Sequence, residues 1–276
     1  MEKTGVMIGV RAGTDIDEKF RVLHENSLSC CQLSFWDPSL YSEETAKNIL
    51  SASEKYDVEV STVWAGWTGP KEWNFTFGPS TLGIVPPCFR AVRCEEIIKG
   101  GYFAKRLGVK RFATHAGFMP ENPSDPEYRG IVAAVKYIAA RFVPDGISFL
   151  FETGQETPVT LLRVIEDTGL ENVGINFDTA NLILYGKGNS ADAVTVFGKY
   201  ILDTHIKDGF YPTDGSHLGK EVKVGDGAAN IPEVISRLRK SGYKGNYIIE
   251  REISGEQQLL DIIETRDFLK KILAEN

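Results

Sequence analysis

The chain has 276 residues, 42% of them hydrophobic and 25% charged, which is enough to bury a large core and excludes a disordered or fibrous polypeptide. A net charge of −7, a pI of about 5.3 and no Lys/Arg run longer than a pair such as Lys270–Lys271 argue against nucleic acid as a partner; a local pocket for one phosphate stays open. No stretch approaches the roughly eighteen consecutive apolar residues of a membrane span.

Short apolar, β-branched runs alternate with longer amphipathic stretches along the whole chain. The predicted strands fall at 6–10, 30–35, 59–64, 111–115, 148–153, 173–178, 201–206 and 247–252. A stretch with polar and apolar residues near the 3.6 period follows each of them. The helix predicted over 42–56 opens with Ser42, Glu43 and Glu44, a good N-terminal signature. Another opens with Thr157 as cap and Pro158 as first helical residue, and the last runs from about 255 to 273. Gly108, Gly169 and Gly242 stand where helices hand the chain back to strands.

Eight βα units imply parallel strands, since each crossover returns the chain to the same end. The expected architecture is one (β/α)8 TIM barrel over residues 1–276, with a doubly wound open sheet as the alternative. Closure is preferred because the count is eight and polar residues gather at one end of the strands. No internal repeat or low-complexity tract is visible. The connection at 65–89 is unusually long and rich in Gly, Pro and aromatic residues. With Trp64, Trp67, Trp73, Phe75 and Phe77 it reads equally well as an apolar wall for a substrate and as a structural plug over the barrel mouth.

The four cysteines, Cys30, Cys31, Cys88 and Cys94, form no C-x-x-C pair, and Cys30 and Cys31 point to opposite faces of a strand. They read as reduced, mostly buried thiols. Residues 1–10 lack the charged lead-in and cleavage site of a secretory leader. The expectation is a soluble cytoplasmic protein.

In such a barrel, active residues sit at the C-terminal ends of strands. Those ends carry Trp64, His115, Glu152, Asp178, His205 and Glu250. Each ionisable group follows an apolar run that should be buried, and burying an isolated carboxylate is expensive. These groups must therefore be paired, hydrogen-bonded or bound to a metal. Taken singly, a buried Glu is more often half of an ion pair, and His205 is as readily a satisfied core histidine. Four liganding types at four successive strand ends are another matter. Three oxygen donors and one imidazole suit Mn, Mg, Co or Zn, and the absence of cysteine argues against a structural zinc site.

Phe151-Glu-Thr-Gly-Gln-Glu156, Asn176-Phe-Asp-Thr-Ala-Asn-Leu182, Thr204-His-Ile-Lys-Asp208 and Ile248-Ile-Glu-Arg-Glu252 together resemble the sugar phosphate isomerase/epimerase family of xylose isomerase-like barrels. The resemblance spans nearly the whole chain, and the motifs occur in the family's order. The family includes ketose 3-epimerases, hydroxypyruvate isomerase and an inosose dehydratase. The resemblance implies that Glu152, Asp178, His205 and Glu250 hold one divalent metal. It implies that Glu152 and Glu250 exchange protons with a small polyhydroxylated carbonyl substrate, through an enediolate that the metal stabilises.

Other positions carry softer expectations. His115 could hydrogen-bond a substrate hydroxyl, and Lys207, of the same strand parity as His205, could neutralise an enediolate or a phosphate. Asn181 stands where ketose 3-epimerases of the family usually carry a substrate-binding His, and Pro158 replaces a Glu that they use near the substrate. Both departures speak against a plain ketose 3-epimerase. Asp208 is expected to orient His205 or to cap the next loop, and Glu156 and Glu252 to be solvated or structural. Gly225-Asp-Gly227 offers backbone N–H groups to an anion. Arg11 and Asp15 could reach the rim.

Three alternatives stay open at this level. A keto-polyol dehydratase would start from the same proton abstraction. An endonuclease IV-like repair enzyme needs a histidine-rich trinuclear site, whereas this chain has four histidines in all, Asn181 and Trp64 occupying two of the expected positions. A non-catalytic sugar-binding barrel would use the metal only to hold its ligand. The outer helices leave room for a homodimer.

Overall fold

The eight predicted runs form strands and close on themselves. The computed structural model describes residues 2–275. Its first half runs β1 (Thr4–Val10), α1 (Ile16–Glu25), β2 (Cys30–Phe35), α2 (Glu43–Tyr56), β3 (Glu59–Ala65), α3 (Gly78–Thr81), α4 (Pro87–Arg106), β4 (Arg111–Thr114) and α5 (Pro126–Ala139). The second half runs β5 (Ser148–Glu152), α6 (Pro158–Thr168), β6 (Val173–Asp178), α7 (Asn181–Leu184), α8 (Ser190–Phe197), β7 (Ile201–Ile206), β8 (Asp208–Phe210), β9 (Lys220–Val222), α9 (Ile231–Lys240), β10 (Tyr247–Ile249) and α10 (Glu256–Glu275). Hydrogen-bonded neighbours follow the cyclic order β1-β10-β7-β6-β5-β4-β3-β2, every pair parallel, while β8 and β9 form a separate antiparallel hairpin above β7.

Local chemistry sets the element ends. Ser42 caps α2 by accepting from the Thr45 N–H at 3.0 Å, and Thr157 caps α6 ahead of Pro158. Gly108, Gly169 and Gly242 all have positive φ, the left-handed conformation that ends a helix at little cost to glycine. The last barrel strand is shorter than expected and stops at Ile249. Beyond it the chain turns outward, where Arg251 bridges Glu221 and Asp261 at 2.9 and 2.7 Å. Glu250 keeps a backbone bond to the Ile206 carbonyl and so still faces the barrel mouth.

The main apolar core, including Phe20, Ile49, Phe103, Phe112, Ile138, Phe177 and Leu238, fills the layer between strands and helices. The barrel interior is more polar. Asp203, two residues before His205, is fully buried and accepts from the hydroxyls of Ser61 and Thr62 at 2.8 and 2.7 Å. Above that level lie Gln32, Asn176 and His205, and then the carboxylates of the mouth.

The long connection is pinned in place. Arg93 of α4, fully buried, donates to the carbonyls of Thr81, Gly83 and Pro70 at 2.6, 2.7 and 2.8 Å and more weakly to Thr68. Its guanidinium also lies over the Trp67 and Phe89 rings. Among the described residues no helix is long and apolar enough to cross a membrane. Cys30, Cys31 and Cys94 are buried free thiols, and Cys88 is an exposed one.

Candidate metal site

Glu152, Asp178, His205 and Glu250, from the ends of four strands adjacent in the barrel wall, converge at its mouth. One donor atom from each can be chosen so that all four lie within 4.8 Å of one another. An octahedral ion with bonds of about 2.1 Å holds adjacent ligands about 3.0 Å apart and opposite ones about 4.2 Å apart. The cluster thus needs to contract by less than about 1 Å to close on an ion.

His205 Nδ1 faces Glu152 Oε1 at 3.0 Å, Glu250 Oε2 at 3.4 Å and Asp178 Oδ2 at 3.9 Å. The two oxygens of Asp178 differ sharply. Oδ1 accepts from the backbone N–H groups of Ala180 and Asn181, both at 2.7 Å, which fixes the carboxylate. Oδ2 is buried with no hydrogen-bond partner among the described residues. A buried carboxyl oxygen without a partner, aimed into a ring of other donors, fits the role of a metal ligand. The cluster could therefore coordinate a divalent metal.

The charges agree. Three carboxylates face one buried ammonium, that of Lys207, 3.3 Å from Glu250 and 3.8 Å from Asp178. Lys207, which Glu252 shares at 3.1 Å, leaves an excess of at least two negative charges before any proton is bound, and a divalent ion supplies two positive ones. Burial works against the Glu250 carboxylate, but Lys207 and His205 outweigh it and hold it well below the usual range. Burial likewise opposes Glu152, and His115 and His205 bring it below its ordinary value. At Asp178 burial prevails and raises the carboxyl well above its usual range. Burial disfavours the His205 imidazolium, yet Glu250 and Glu152 overcome this and raise its pKa well above the ordinary value.

The four other predicted contact residues surround this cluster. The Trp64 indole N–H donates to Glu152 Oε2. The His115 ring stands 3.6 Å from the same oxygen, edge-on to Trp64 and Trp73, and its Nδ1 has no partner among the described residues. Asn181 links Glu152 to Lys207 through contacts of 3.4 Å on either side of its amide. Over the cluster opens a cavity of about 290 Å³, near the small end for ligand pockets. Its lining includes Glu152, Glu250, His115, Trp64, Trp73 and Tyr185.

Several secondary expectations change. The long connection is wall and plug at once: Trp73 lines the cavity, Trp67 is fully buried beneath it, and Phe77 points into solvent at 58% exposure. The turn at Gly225 holds no external anion, because Asp208 fills it. That carboxylate accepts from the N–H groups of Gly225, Gly227 and Ala229 at 3.0, 3.1 and 2.9 Å. Asp208 thus secures the loop and does not orient His205. Of the two roles expected for Glu156 and Glu252, solvated or structural, Glu156 is buried and so takes the structural one, whereas the Glu252 side chain is 60% exposed with Lys207 3.1 Å away. Asp15 caps α1 by accepting from the Glu18 N–H.

Two contributors escaped the reading of strand ends. Gln32 lies in the middle of β2 and contacts His205; its only trace in the sequence is an amide between apolar neighbours in a strand. Trp36 follows β2, lines the cavity and packs tilted or edge-on against Trp64, Trp67 and Trp73, with ring centroids 4.8 to 6.1 Å apart. Its signal was a large aromatic at a strand end.

Known proteins give this geometry a family. The chain is 31% identical over 120 residues to an uncharacterized protein of Methanocaldococcus jannaschii; the match spans 42% of this chain and 37% of the length of that one. A xylose isomerase domain protein from Planctomyces limnophilus superposes with a TM-score of 0.91 at 29% identity, over 98% of this chain and 97% of that one. A D-tagatose 3-epimerase-like protein superposes with a TM-score of 0.73 at 22% identity, over 99% and 97%. The model of the xylose isomerase-like TIM barrel family matches residues 20–272, and the chain belongs to that family.

Proposed function

We propose that the protein is a divalent-metal-dependent isomerase or epimerase of a small sugar, sugar phosphate or keto-polyol. The observation that carries this reading is the convergence of Glu152, Asp178, His205 and Glu250 around a buried, unpartnered Asp178 oxygen at the barrel mouth. A bound divalent ion would polarise a substrate carbonyl and a neighbouring hydroxyl, making the adjacent C–H acidic enough to exchange.

Glu152 and Glu250 are the proton carriers. They rise from β5 and from the end of β10, three strands apart around the wall, so they approach a ligand between them from different sides. Lys207 keeps Glu250 ionised and able to accept a proton. Trp64 fixes the far oxygen of Glu152, so its rotation is restricted. His115, lining the cavity, is the residue for a substrate hydroxyl. Asn181 binds Glu152 and Lys207 and therefore acts on the substrate chiefly by holding those two in place. The domain is the whole barrel, with residues 65–89 covering part of its mouth.

The test is metal analysis of the purified protein, followed by a panel of ketoses and keto-polyols in D2O observed by NMR and mass spectrometry. Deuterium should enter at the carbon beside the carbonyl, with no loss of water from the substrate. Glu152→Gln and Glu250→Gln should each slow that exchange by about 100-fold or more. A product lighter by one water would transfer the protein to the lyases. Tight binding without any exchange would leave a sugar-binding barrel.

A further inference from the structure

The two nitrogens of His205 face different surroundings. Nδ1 looks into the carboxylate ring. Nε2 looks the other way, across the barrel, to Gln32 Oε1 at 2.8 Å and to the Asn176 amide nitrogen at 3.1 Å. All three side chains are fully buried, so water does not compete for these bonds. Gln32 and Asn176 are also joined to each other, the Gln32 amide donating to Asn176 Oδ1 at 2.8 Å.

A neutral imidazole carries one proton, and the nitrogen that binds a metal must be bare. If Nδ1 is the ligand, the proton sits on Nε2 and needs an acceptor, because a buried unpaired N–H is costly. Gln32 Oε1 is that acceptor. The Asn176 amide is a donor, and by itself it favours the opposite tautomer, with Nε2 bare and the proton on Nδ1. That tautomer closes the site to the ion. Gln32 is the nearer of the two, and its own amide turns the Asn176 oxygen toward itself.

Resting on the metal site proposed above, we infer that Gln32 is a positioning residue that sets the tautomer of His205, and with it the affinity of the site for ions that depend on the nitrogen ligand. His205 is the only nitrogen donor of the four. Cobalt and zinc draw much of their affinity from imidazole, whereas magnesium relies on oxygen. Loss of Gln32 should therefore weaken cobalt far more than magnesium.

The experiment measures Co2+ and Mg2+ binding by calorimetry on the full chain, as wild type, Gln32→Met and Gln32→Glu. Methionine matches the length of glutamine and offers only a weakly accepting thioether, and glutamate keeps a strong oxygen acceptor. Gln32→Met should bind Co2+ about 10- to 100-fold more weakly, with a smaller change for Mg2+. Gln32→Glu should bring Co2+ back to within a few-fold of wild type or tighter. Unchanged Co2+ affinity in a folded Gln32→Met protein would overturn the inference. So would equal losses of both ions in both variants, the mark of a packing defect. If Gln32→Met fails to fold, Gln32→Glu decides alone: retained Co2+ affinity supports the inference, and a loss matching that for Mg2+ overturns it. A wild type that binds neither ion would instead sink the metal site itself.

Discussion

Metal uptake by this site should expel protons, and the direction of the effect follows from its electrostatics. Without an ion, the excess negative charge of the cluster is met by protons, because both Asp178 and His205 titrate well above their ordinary values. A divalent ion needs both side chains unprotonated. Binding should therefore release protons, and each proton released contributes a factor of about ten in affinity per pH unit, or about 1.4 kcal/mol. The sign follows directly: raised pKa values keep the competing protons on the site as pH falls, so affinity drops toward acid. Over the range in which both groups are protonated in the free protein, the dissociation constant should rise up to about 100-fold for each unit of acidification. Calorimetric titration of Mn2+ or Co2+ in two buffers of different ionisation enthalpy measures the release at a single pH, and repetition at three pH values measures the slope. A release near zero, with affinity flat between pH 6 and 8, would show that the donors are already bare and that protons do not balance the charge of the cluster.

Two further outcomes concern stability. Arg93→Met removes the donor shared by four loop carbonyls and should destabilise the protein by about 3 kcal/mol, with residues 66–86 becoming the first site of limited proteolysis; an unchanged Tm and cleavage pattern would refute the pinning role. Burial raises the Glu156 carboxyl from an ordinary 4.5 to about 8, so between those values the folded state binds more protons than the unfolded chain and stability falls as pH rises. Glu156→Gln should abolish that loss, gaining on wild type by up to about 4 kcal/mol on going from pH 5 to pH 8; parallel Tm profiles for the two proteins would count against it.

The barrel was legible because its information is periodic. Eight apolar runs, Thr157-Pro158 and the helix-ending glycines are local signals, and each lies where the fold needs it. The four cluster residues were legible for a related reason: a charge that ends an apolar run has to be compensated, and the βα repeat brings all such ends to one rim. What stayed hidden depends on partners distant in sequence. Gln32 and His205 are 173 residues apart, and no local pattern shows that an amide in mid-strand will face an imidazole. The turn at Gly225 looked like an anion site and is one, but its anion is Asp208, whose two oxygens reach it from seventeen to twenty-one residues away. The early end of β10 has the same origin, since Arg251 is drawn off by Glu221 and Asp261.

The grouping of Trp36, Trp64, Trp67 and Trp73 has a practical consequence, because these four are all the tryptophans the chain possesses. Emission excited in the indole band originates from one rim of the cavity and from nowhere else in the molecule. With ring centroids 4.8 to 6.2 Å apart, the four exchange excitation freely, and quenching of one darkens its neighbours. The molecule carries its own optical probe, and the native chain needs no label to signal that the cavity has filled.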